Sequence, residues 1–203
     1  NDATEACSIS PSRAHACASA ARVAADRPES SGRRAPASAR PAVAVDVSVP
    51  FDTWKTVGFD ASAAARRAVR EALAGADLPP RIHGRALEVS VLLANDDLIR
   101  TLNRTYRGKD APTNVLSFPL LSDEEPLAPE GPVALGDIVL SFETLHKESE
   151  TALKRFADHM THLVVHGALH LVGYDHEDED DADRMEEREI MILGRMGLTN
   201  PYA

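Results

Sequence analysis

HGALHLVGYDH, residues 166–176, decides how this chain is read. His166 and His170 stand four apart in a stretch with helical periodicity, so both imidazoles leave one face a turn apart and can reach one ion at about 2.0–2.1 Å. Gly173 follows three residues later. It can take a left-handed conformation, end the helix and bring His176 back as a third ligand. The spacing H-x-x-x-H-x-x-G-x-x-H is that of the metzincin zinc proteases, except that Gly167 stands where those enzymes carry the glutamate general base. Three neutral nitrogens leave Zn2+ one open position, the arrangement of a catalytic rather than a structural site. His162 is eight residues from His170, roughly 12 Å along a helix, too far to share its ion. His159 and His162 are therefore expected to pack or to hydrogen-bond behind the ligands. Asp175 is read equally as a capper of the turn and as an aid to a ligand imidazole.

Working outward, His166 lies near the end of a helix expected over about 153–171, followed by another over about 180–196 that stops at Gly197. Upstream, Val43, Val45, Val47 and Val49 alternate as a strand, 61–76 reads as a helix, and LEVSVLLA (87–94) as a central strand. Asn95 is placed to cap a helix that buries Ile99, Leu102 and Tyr106 and stops at Gly108. Strands are expected over 115–121, where Pro119 points to a sheet edge or a strand end, and over 133–141, with a helix from about Glu143. Strands mixed with helices, the helices gathered toward the C-terminus, give α+β.

The chain has 203 residues, 43% hydrophobic and 27% charged, which suits one domain with a tail. Residues 1–41, rich in Ala, Ser, Arg and Pro, read as a disordered or extraneous tail, and 42–203 as the domain. Cys7 and Cys17, both in the tail, match neither a zinc site nor a disulfide framework, as expected of a reducing cytoplasm. No stretch is apolar enough to span a membrane. The net charge of −10 excludes a protein that coats nucleic acid unspecifically. It leaves room for a local strip, and Arg100, Arg104 and Arg107 form one on a single helix, extended by Lys109 just past it.

HGALHLVGYDH, with LNRTYRGKDAPTNVLSFP (102–119) and LGDIVLS (135–141) before it, resembles the YbeY family of bacterial endoribonucleases over about residues 42–203. The resemblance implies a zincin-like α+β fold, a small mixed sheet of about four strands with the metal at the end of a long helix. It implies one Zn2+ on His166, His170 and His176, and cleavage of single-stranded RNA in 16S ribosomal RNA 3′ end maturation and small-subunit quality control. Arg107 matches the family's functional arginine. No nucleotide cofactor is implied. Asn114 stands where the family pattern has Asp, and is read as shaping a turn. Two rivals remain: a metallopeptidase, favoured by the histidine spacing alone, and a non-catalytic assembly factor stabilised by its metal.

Overall fold

The computed structural model describes residues 40–122, 126–176 and 178–203; the expected tail lies outside them up to residue 39. The alternating valines form β1 (Val43–Ser48), and Leu87–Ala94 forms β2. β3 is Val115–Pro119 and β4 is Val133–Ser141. They make one sheet in the order β1-β2-β4-β3, with β1, β2 and β4 parallel and β3 antiparallel at the edge. Edge position is what Pro119 requires, since it donates no ladder bond. This is the α+β fold with a mixed four-stranded sheet that the sequence predicts.

Five helices dress the sheet: α1 (Ala61–Gly75), α2 (Asp96–Arg107), α3 (Phe142–Thr151), α4 (Phe156–His170) and α5 (Glu179–Arg195). α1 and α4 lie against one face, where Ala65, Val69 and Leu73 meet Val164, Ala168 and Leu169 over Val89, Val91 and Ile138. α2 lies on the other face, where Ile99 packs with Leu116 and Val139. That second face is only part covered: Asp46, Ser90 and Asp137, neighbours across β1, β2 and β4, stay exposed. Asn95 caps α2 by accepting from the Leu98 N–H at 3.0 Å, and Gly108, at φ 69°, ends it.

One expectation fails on α2. Ile99 is fully buried and Leu102 half-buried, but Tyr106 is 58% exposed. The apolar stripe has helical spacing throughout, yet α2 crosses toward edge strand β3, and the stripe's last residue runs past the sheet. Tyr106 keeps one ring contact, edge-to-face on Phe118 at 5.2 Å.

Candidate metal centre

α4 carries the first two ligands. Eleven consecutive residues from Met160 to His170 are buried, because the helix runs between the sheet and the other helices. Its close approach depends on Gly167: a Cβ there would stand 3.0 Å from both Ile138 Cγ2 and Ser117 Oγ. The Ser117 hydroxyl donates to the Gly167 carbonyl at 3.3 Å. The position that holds a glutamate base in metzincins faces the sheet here, and a charged side chain would be driven into it at a cost of several kcal/mol, of order ~3 or more. Past His170 the chain turns through Leu171–Gly173; Gly173 takes φ 96°, a conformation that favours glycine, and His176 is carried back beside the helix end.

The three imidazoles converge. One nitrogen from each of His166, His170 and His176 lies within 4.8 Å of the others. The proton positions follow from the partners. His170 Nδ1 is 2.9 Å from the Tyr174 carbonyl, which only accepts, so Nδ1 carries the hydrogen. His166 Nδ1 is 2.7 Å from Glu189 Oε1 and donates to it. The inner nitrogens, both Nε2, face each other at 3.1 Å. Two metal–nitrogen arms of 2.0–2.1 Å at a tetrahedral angle would span about 3.3 Å, close to this separation. The residues present fit a metal.

Glu189, on α5, is the functional residue that sequence reasoning missed. It is fully buried. Its Oε1 takes the His166 proton, its Oε2 takes one from His162 Nε2 at 2.8 Å, and the Tyr202 hydroxyl donates to the same Oε2. Burial works against charge on Glu189, but hydrogen bonds and charge from His162 and His166 outweigh it and hold the carboxyl well below the usual range. Burial and the adjacent Glu189 push the Tyr202 phenol well above its ordinary value, so it remains a donor. A signal was available: Glu189 falls on the apolar stripe of α5, four residues after Met185 and three and four before Ile192 and Leu193. A carboxylate on a buried stripe needs partners. Replacing it, Glu189→Gln, is expected to weaken metal affinity about 10- to 100-fold, because an amide presents its NH2 to a donor. Competition with a chromophoric chelator measures this, and unchanged affinity would show that the carboxylate does not orient His166.

His162 thus stands behind the ligands, as its spacing requires, and His159 pairs with Glu148 at 2.9 Å. Asp175 accepts from the His176 backbone N–H at 2.8 Å, which is a turn-shaping contact. Asn114 does more than shape a turn. Its Oδ1 accepts from Val115 N at 2.7 Å, while its Nδ2 donates to both Glu148 oxygens at 3.1 and 3.2 Å. An aspartate could not make the second pair of bonds.

The basic strip is less uniform than its spacing suggests. Arg100 forms a two-bond pair with Asp110 at 2.8 and 3.1 Å, and Arg104 approaches the same carboxylate at 4.0 Å. Lys109 lies just beyond the Gly108 turn and is exposed. Arg107 differs: its Nε and Nη2 are buried with no hydrogen-bond partner among the described residues.

The chain matches the sequence profile described as "Endoribonuclease YbeY" over residues 52–197. A protein of that name from Paramagnetospirillum magneticum is 44% identical over 161 residues, covering 79% of this chain and 96% of the relative. Another, from Rhodospirillum rubrum, is 47% identical over 156 residues, covering 74% of this chain and 76% of the relative. No described helix is long and apolar enough to cross a membrane.

Proposed function

Since the chain belongs to the YbeY family, we propose that it is a metal-dependent endoribonuclease that hydrolyses phosphodiester bonds in single-stranded RNA. Its domain, residues 42–203, acts in the cytoplasm on ribosomal RNA of the small subunit, in 3′ end maturation of 16S RNA and in quality control. The observation that carries this reading is the convergence of one ring nitrogen from each of His166, His170 and His176 to within 4.8 Å of one another.

Zn2+ is the metal that three imidazoles at this spacing suit, and when bound it supplies Lewis-acid polarisation of a phosphoryl oxygen and a nucleophile at neutral pH. The chain's own groups do the rest. Glu189 and the Tyr174 carbonyl accept from the outer nitrogens of His166 and His170, which turns the inner ones toward each other. Arg107 offers two N–H donors to charge that develops on phosphate oxygens. Arg104 and Lys109 add positive potential along the strand's path. The metallopeptidase reading loses its support at Gly167, where a base would point into the sheet.

Purified protein incubated with a single-stranded RNA oligonucleotide and with casein, each with and without chelator, tests the reading. RNA should be cut, casein left intact, and cutting abolished by chelation and restored by Zn2+. Casein cleavage with intact RNA would reverse the assignment. If chelation lowers the melting temperature while a His176→Ala variant still supports ribosome maturation in cells, the metal is structural and the assembly-factor reading stands.

A further inference from the structure

Tyr106 is a large aromatic, 58% exposed, on the helix that carries Arg100, Arg104 and Arg107 in an acidic protein. Its ring meets Phe118 edge-to-face at 5.2 Å, on the face of the sheet opposite α4. Leu120, two residues on, keeps the parity of Phe118, still donates its N–H to the Leu135 carbonyl, and is 60% exposed. Tyr106, Phe118 and Leu120 therefore line the end of the edge strand. Arg107, next along α2, holds two buried donors with no partner among the described residues. An apolar ring surface with unsatisfied cationic donors beside it suits a ligand that alternates flat aromatic groups with anions.

The same strand end is where the metal centre sits. Ser117 contacts Gly167 of α4 on one side of β3, while Phe118 faces α2 on the other. A Cβ added at Gly136 would meet Leu171 Cδ2, the first side chain past α4, at 3.1 Å, and would run into the Phe118 carbonyl. The end of α2, the end of β3 and the metal end of α4 thus meet at one edge of the sheet.

We propose that Tyr106, backed by Phe118, is a subsite for an unpaired nucleobase of the RNA, which stacks on the phenol ring while an adjacent phosphate meets Arg107. This rests on the RNA-cleaving reading and adds to it a reason for single-strand preference. A base held in a duplex cannot turn its face to the ring, whereas every unpaired base has one to offer.

The test uses metal-loaded protein and a single-stranded RNA oligonucleotide carrying 2-aminopurine, whose fluorescence falls on stacking. Tyr106→Ala is expected to raise Kd and KM about ten-fold, equivalent to ~1.4 kcal/mol, and to lose the quench. Tyr106→Leu, which keeps an apolar cover over Phe118 without a π face, should behave like alanine, and Tyr106→Trp should recover binding and quench. On an oligonucleotide with abasic positions the alanine variant should bind as tightly as the native protein. Kd within two-fold for Tyr106→Ala, or an equal loss on the abasic strand, overturns the subsite. A native protein that neither binds nor cuts any RNA defeats the broader reading instead, so the two failures are distinguishable.

Discussion

His170→Ala is expected to leave a folded protein that keeps almost no metal and cuts RNA at least about 10³-fold more slowly. The expectation comes from counting arms. His166, His170 and His176 are the residues whose nitrogens come within 4.8 Å of one another among the described residues, so no fourth His, Cys or carboxylate stands ready to replace a lost one. Removing one of three ligands from an ion in water costs several kcal/mol of affinity, and a 10³-fold loss is ~4 kcal/mol. Catalysis that depends on the ion then falls with occupancy. His170 is buried, and alanine leaves a small void near the helix end, a cost of about 1–3 kcal/mol that a domain of this size should survive. Metal content by mass spectrometry, circular dichroism and RNA cleavage on the same preparation separate the three effects. A full equivalent of metal retained by a protein lacking both His166 and His170 would end the assignment.

The ligands were legible because their spacing couples two periodicities: four residues along a helix, then a glycine turn of fixed length. Strands and helix caps were legible for the same local reason. Asn95, Gly108 and Gly173 each act within one turn of themselves. What the sequence hid depends on partners far along the chain. Gly167 is explained only by Ile138 and Ser117, which belong to two strands. Glu189 is explained by histidines on another helix and by Tyr202. Periodicity placed Tyr106 inside, because a helical stripe says which side of a helix is apolar and not how far the sheet beneath it extends. Spacing also could not rank the arginines: Asp110 occupies Arg100 and approaches Arg104, which only folding reveals.

That ranking makes a second large effect predictable. Arg107→Ala should lower kcat about 10²- to 10³-fold and raise KM only about two- to five-fold while metal content stays near native, the pattern of a donor used mainly in the transition state. The buried Nε and Nη2 are already desolvated and unpartnered, so pairing them with a phosphate oxygen regains hydrogen bonds that folding gave up. Lysine at 107 should restore only part of the rate, since an ammonium carries the charge without the two-pronged donor geometry. Arg104→Ala is the matched comparison. It removes the same charge three residues away from an exposed side chain already near Asp110. Its effect should be confined to a modest rise in KM that fades at higher salt. Single-turnover cleavage at two salt concentrations distinguishes the cases. Equal losses for the two arginines would mean a diffuse potential rather than a placed guanidinium. Loss of metal from the Arg107 variant would mean that the side chain holds the fold of the site and not the phosphate.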